Sequence, residues 1–190
     1  RILARLTEEG ASPCTALFEV QKRSAFKPCM LEAKIGEGEI KPMSLQFGKT
    51  KVDLKGTIDR VDRLDDKFII IDYKTYKSAD LTLKELYCGQ KIQLYVYMRA
   101  VENSINATPC GVFYFPVFSS FTDEDGNRYK YKGQASDSRE TLALIDDLVL
   151  SNPDCAIVPY KTDRKGENLN AEIHLSKSGF DMLGDYAQTI

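Results

Sequence analysis

The chain has 190 residues, 43% of them hydrophobic and 28% charged, with a formal net charge of -2 at neutral pH. This suits one globular domain with a real core. It excludes phosphate binding through bulk positive charge, so any contact with phosphates must be local.

No apolar run reaches the ~18 residues that a membrane helix needs, so no membrane partner is expected. The chain starts at Arg1 and ends at Ile190 within a helix-like stretch, so it reads as a segment of a longer protein. Its five cysteines, Cys14, Cys29, Cys88, Cys110 and Cys155, are odd in number and include no C-x-x-C pair. That argues against a disulfide framework and against a zinc or iron–sulfur site within the segment. They read as reduced, mostly buried thiols of a cytoplasmic protein.

In chain order, residues 2–9 look helical, punctuated by Gly10 and Pro13. Residues 17–26 are a short helix or an extended approach, and Pro28 precedes a first strand over 30–35 that contains Glu32. Residues 36–51 form a polar connection whose apolar piece, 43–47, can add a strand to the hairpin that follows. That hairpin pairs 52–61 with 68–73 around a turn at Asp65-Asp66. After a loop over 77–82, capped at Ser78 or Asp80, the clearest helix spans 83–102. Leu86, Gln90, Gln93, Tyr97 and Val101 share one of its faces.

Residues 110–117 are apolar enough for a buried central strand. Residues 119–136 read as a flexible insertion. The acidic run Asp123-Glu124-Asp125-Gly126 within it lacks calcium-loop spacing. Asp137 and Glu140 form a capping box for a helix over 138–151. A strand at 156–160, a basic loop with Lys161, Arg164 and Lys165, a short strand at 171–175 bearing the single histidine, His174, and a final helix complete the chain.

The chemistry concentrates in the hairpin. Side chains alternate along a strand, so Ile70, Asp72 and Lys74 share one face and Ile69, Ile71 and Tyr73 the other. Asp59 on the first strand is the carboxylate best placed to oppose Asp72. Two converging carboxylates suit a hard divalent cation such as Mg2+. A lysine beside it can hold an attacking water or offset charge on a phosphate in transit. No glycine-rich G-x-x-x-x-G-K-[ST] loop occurs, so nucleotide hydrolysis is not read here.

The order Gly56-Thr57-Ile58-Asp59-Arg60-Val61-Asp62, Ile70-Ile71-Asp72-Tyr73-Lys74-Thr75, then Gln93 and Tyr97 resembles the RecB-type branch of the PD-(D/E)XK nuclease superfamily. Three further pieces are similar to the AddB/RexB family of bacterial ATP-dependent helicase–nucleases. They are Phe26-Lys27-Pro28 leading to Glu32, residues 86–97 and residues 107–115. The likeness covers 24–118 most closely.

The resemblance implies an α/β fold with a restriction-endonuclease-like core, a mixed central sheet flanked by helices, in a single domain over 1–190. It implies a Mg2+-dependent deoxyribonuclease, with Mn2+ able to substitute, acting as an exonuclease that processes double-strand DNA ends for recombinational repair. Asp59, Asp72, Lys74, Gln93 and Tyr97 would be catalytic, and Glu32, Asp59 and Asp72 would hold metal. Lys74, Lys161, Arg164 and Lys165 are candidate DNA contacts. The implied partners are DNA and an AddA/RexA-like subunit. AddB-like proteins carry an iron–sulfur cluster, but its cysteines lie outside this region, so none is expected in the segment. The competing expectations are a nuclease-like domain that binds DNA or scaffolds without cutting, and another RecB-type nuclease of the restriction or CRISPR-associated kind.

Overall fold

The computed structural model describes residues 13–75, 91–117, 130–136, 138–152 and 156–158. The first described element is helix α1 (Pro13–Arg23), with proline in its first turn, where its missing N–H costs nothing. It is followed by β1 (Lys27–Lys34), β2 (Met43–Phe47), β3 (Thr50–Leu54), β4 (Thr57–Leu64) and β5 (Lys67–Lys74). Then come helix α2 (Gln93–Ile105), β6 (Thr108–Pro116), β7 (Lys132–Ala135) and two short helices, α3 (Arg139–Ile145) and α4 (Leu148–Ser151).

Among the described residues, five strands form one mixed sheet in the order β1-β4-β5-β6-β7, with only β5 and β6 parallel. Strand β5 is central, and its Phe68, Ile69, Ile70 and Ile71 are all buried. A strand covered on both faces needs such a continuous apolar run. The expected alternation holds. Phe68 and Ile70 join Leu94, Met98 and Val101 of α2 in one core cluster. Ile69 and Ile71 join Val20 of α1, Phe113 and Phe115 of β6, and Leu142 and Ile145 of α3 in the other. Helices therefore cover both faces of the sheet, as the α/β reading expects.

Several boundaries differ from the sequence reading. The strand expected over 52–61 is two strands separated at Lys55 and Gly56. β3 pairs with β2 as a separate two-stranded ribbon. The turn expected at Asp65-Asp66 is present, with Asp65 in the left-handed region at φ 49°, a conformation that aspartate tolerates.

Of the helix expected over 83–102, residues 83–90 lie outside the described residues. Lys91 has φ 54°, in the left-handed region, and α2 begins at Gln93. It runs on to Ile105 and ends on left-handed Asn106. Lys132–Ala135, expected in a flexible insertion, is an edge strand on β6.

The helix expected over 138–151 is broken at Asp146. Its cap is Ser138, which accepts the Thr141 N–H and donates to Glu140; Asp137, the cap expected from sequence, lies outside the described residues. Asp146 is fully buried because it accepts hydrogen bonds from Arg23, Leu148 N and Ile157 N. The Ile157 bond holds 156–158 in a buried bend; the remainder of the strand expected over 156–160 lies outside the described residues. Of the described cysteines, Cys110 is buried and Cys14 and Cys29 are exposed; Cys88 and Cys155 lie outside the described residues. No described helix is long and apolar enough to cross a membrane. The readings at 2–9, 77–82, 123–126, 161–165 and 171–190 lie outside the described residues.

Candidate active site

The site forms where the β4–β5 ladder opens. The last antiparallel pair is Arg60 with Ile71. Beyond it, Asp59 and Asp72 face one another at the fork. Asp59 Oδ2 accepts the Tyr73 N–H at 2.8 Å, so a side chain takes over as acceptor where the backbone pairing ends. This fixes the Asp59 carboxylate beside β5.

Asp72 is 2% exposed. Its Oδ2 lies 2.5 Å from Lys74 Nζ, yet no donor reaches that oxygen with hydrogen-bond geometry. It therefore has a charge partner without a directed hydrogen bond. Burial pushes the Asp72 carboxyl above the ordinary carboxylate value, the Lys74 ammonium pulls it back, and the nearby Asp59 charge adds to the rise.

Helix α2 completes the constellation from its first turn. Gln93 Nε2 donates to Asp72 Oδ1 at 3.3 Å and to the Tyr97 hydroxyl at 2.9 Å, while Gln93 Oε1 accepts from Lys74 Nζ at 3.3 Å. The i, i+4 spacing on one helix face makes the Gln93–Tyr97 bond possible. Tyr97 sits over Gly56. A Cβ at that position would stand 2.9 Å from Tyr97 Cε1, so the glycine is what lets the ring approach.

Of the residues anticipated from sequence, the structure thus brings together Asp59, Asp72, Lys74, Gln93 and Tyr97. Glu32 is different. The pairs Leu31–Arg60 and Ala33–Ile58 put it across from Asp59, but its side chain is exposed and its backbone is left-handed at φ 50°. That conformation costs of order 1–2 kcal/mol in a non-glycine residue. No described hydrogen bond or ion pair joins Glu32 to the two aspartates, and no group of three or more potential ligands forms among the described residues.

Asp59 and Asp72 fit a hard cation on chemical grounds. One buried carboxylate oxygen has no hydrogen bond, and a second carboxylate lies close enough to raise its proton affinity. Two carboxylates suffice for an ion such as Mg2+ that keeps several waters. Lys161, Arg164 and Lys165 lie outside the described residues.

Two features were not anticipated. Arg60 and Asp62 of the same motif form a buried ion pair on the opposite sheet face. Arg60 donates to both Asp62 oxygens at 2.6 and 2.5 Å, to the Tyr73 hydroxyl at 3.4 Å, and to Gln21 of α1. Strict alternation from Asp59 carried the signal for that separation. The second is Tyr114 on β6, the lateral neighbour of Asp72, whose ring centroid lies 4.9 Å from Lys74 Nζ. That neighbour depends on the parallel β5–β6 register, which local sequence does not encode.

A carboxylate pair with a lysine two residues on, at the open end of a hairpin in a mixed sheet, defines a class of phosphodiester-cutting folds. The chain matches the PD-(D/E)XK nuclease superfamily over residues 4–172 and belongs to that family. Its five-stranded mixed sheet between helices is the α/β core of the class.

Among relatives, it is 30% identical to the B subunit of the ATP-dependent helicase/deoxyribonuclease of Clostridium tetani, over 88% of this chain and 16% of that protein. It is 30% identical to the protein of the same name from Listeria innocua, over 89% of this chain and 17% of that protein. For the Lysinibacillus sphaericus protein the figures are 31%, 87% and 16%. The chain therefore spans about one-sixth of the length of these relatives.

Proposed function

We propose that this chain is the Mg2+-dependent DNA exonuclease domain of an AddAB/RexAB-type helicase–nuclease. It acts on one displaced strand as an associated motor unwinds double-strand ends for recombinational repair in the cytoplasm. DNA and an AddA/RexA-like subunit are its partners. The observation that carries this reading is buried Asp72, set between Asp59 and Lys74 and tied through Gln93 to Tyr97. Family membership and the helicase/deoxyribonuclease named in its relatives support it.

Asp59 and Asp72 would hold Mg2+, with Glu32 contributing directly or through water; Mn2+ can substitute. When bound, the ion supplies Lewis acidity toward a phosphoryl oxygen and toward water. Lys74 orients the attacking water or offsets the charge that grows on the phosphate. Gln93 holds Lys74 and Asp72 in one geometry, and Tyr97 anchors Gln93. Lys74 also contacts phosphate, together with Lys161, Arg164 and Lys165.

The test is calorimetric titration of Mn2+ into the full-length protein and its Asp72→Ala variant, beside DNA cleavage. The variant should lose both metal binding and cutting, because Asp72 supplies the buried oxygen. Unchanged Mn2+ affinity in the variant would remove Asp72 from the metal site.

A further inference from the structure

Lys74 Nζ is held from three directions by groups of different chemistry. Asp72 Oδ2 stands at 2.5 Å, Gln93 Oε1 at 3.3 Å, and the Tyr114 ring centroid at 4.9 Å. Two of these holds are shared. The Asp72 oxygens are the proposed cation ligands, and the Gln93 amide also serves Asp72 and Tyr97. The π-face of Tyr114 is the hold that carries no lone pair suited to a hard cation, so it is not drawn away when Asp72 takes another partner.

Register and burial make this hold rigid. Tyr114 is the direct parallel-strand neighbour of Asp72, is 4% exposed, and packs in the same cluster as Leu94, Tyr97 and Met98. Lys74 itself is tethered through its carbonyl, which accepts the Val117 N–H at 2.8 Å as β6 ends. The ammonium thus lies over a ring whose position is set by the central sheet, and not by a loop.

We infer that Tyr114 is a positioning residue for Lys74: its ring face keeps the ammonium at the fork when the Asp72 charge is engaged by what the site binds. This rests on the nuclease reading of Lys74. It assigns the aromatic ring at position 114 a part in the rate of cutting, with none in affinity for DNA.

The test uses the full-length protein in its complex, with Asp72→Ala as the background for cutting by this domain. Two variants are compared, Tyr114→Leu, which removes the ring, and Tyr114→Phe, which keeps it. Single-turnover cleavage of an end-labelled strand is measured against DNA concentration.

Loss of a desolvated cation–π contact should lower the maximal rate of Tyr114→Leu by about 5- to 30-fold, with half-saturation unchanged. Tyr114→Phe should restore the rate to within a few-fold of wild type. In the metal-free protein, acetylation of Lys74, mapped by mass spectrometry, should be faster in Tyr114→Leu than in wild type or Tyr114→Phe. A wild-type rate in Tyr114→Leu, or an equal loss in both variants, overturns the inference. If the wild-type protein itself does not cut above the Asp72→Ala background, the proposed function fails. The acetylation result then decides the inference alone, and equal labelling of wild type and Tyr114→Leu overturns it.

Discussion

Gly56→Ala is a small perturbation with a traceable path to the site. The new Cβ would stand 2.9 Å from Tyr97 Cε1, 3.3 Å from its hydroxyl and 3.5 Å from Cζ. Gly56 does not use a left-handed backbone, so the variant carries no backbone strain and the conflict lies with the ring alone. The ring has little room to retreat, since Tyr97 is 7% exposed and its helix neighbours Leu94, Met98 and Val101 are fully buried.

Two terms of opposite sign compete. Restricting the unfolded chain favours alanine by about 0.4–1 kcal/mol, whereas overpacking a well-filled site costs about 1–3 kcal/mol. Overpacking wins, leaving roughly 1–2 kcal/mol of destabilisation, which for a domain of this size lowers Tm by about 2–8 °C. Moving the Tyr97 hydroxyl also loosens Gln93, whose 2.9 Å bond to it aligns the amide toward Asp72. Misplacement by a fraction of an ångström should slow cutting roughly 10-fold. Calorimetric unfolding of the full-length protein and single-turnover cleavage read the two effects. With Tyr97→Leu already in place the conflict is gone, so Gly56→Ala should then be neutral or stabilising. An unchanged or raised Tm together with wild-type cutting in the single variant would refute the close-approach role of Gly56.

Asp62→Ala removes the buried counter-ion of the largely covered Arg60 side chain, and should cost about 3 kcal/mol in a denaturant titration. A loss below about 1 kcal/mol would mean that the pair is solvated like a surface bridge. Burial pushes the Cys110 thiol up to about 11 from 9.0, so its stabilising contribution is full below the ordinary value and disappears as pH rises through the folded one. Stability should therefore slope downward across that window, and Cys110→Ala should flatten the slope. In the native protein, a thiol reagent at pH 8 should label the exposed Cys14 and Cys29 quickly and Cys110 only on unfolding, as peptide mapping by mass spectrometry will show.

The parts of the fold legible in sequence were those where local pattern and burial agree. The alternation in Phe68-Ile69-Ile70-Ile71-Asp72 gives both core faces and the exit of the carboxylate. The spacing of Gln93 and Tyr97 gives one helix face, and their hydrogen bond follows from it. What stayed hidden depends on tertiary context. Gly56, between β3 and β4, stands where a tyrosine from a distant helix comes close enough to exclude a side chain. Asp146 breaks a helix because Arg23, far away in sequence, and Ile157 N need its oxygens. Left-handed Lys91 stands two residues before the start of α2, a conformation that apolar periodicity does not announce. Tyr114 meets Lys74 only through parallel strand register, which no short stretch specifies.

Lys74 carries the central claim, because its ammonium stands 2.5 Å from Asp72 Oδ2 and 3.3 Å from Gln93 Oε1 at the open end of the hairpin. The most direct measurement is single-turnover cleavage of an end-labelled duplex by the full-length complex carrying Lys74→Ala, run beside a DNA-binding titration. Removing a preorganised charge that acts chiefly in the transition state costs on the order of 10²–10³ in rate. Cutting by this domain should therefore be nearly abolished while DNA affinity stays within a few-fold. Cutting at a near wild-type rate would make Lys74 an ordinary strand lysine. A fall in affinity alone, with altered salt dependence, would replace the nuclease account with one of DNA binding without cleavage.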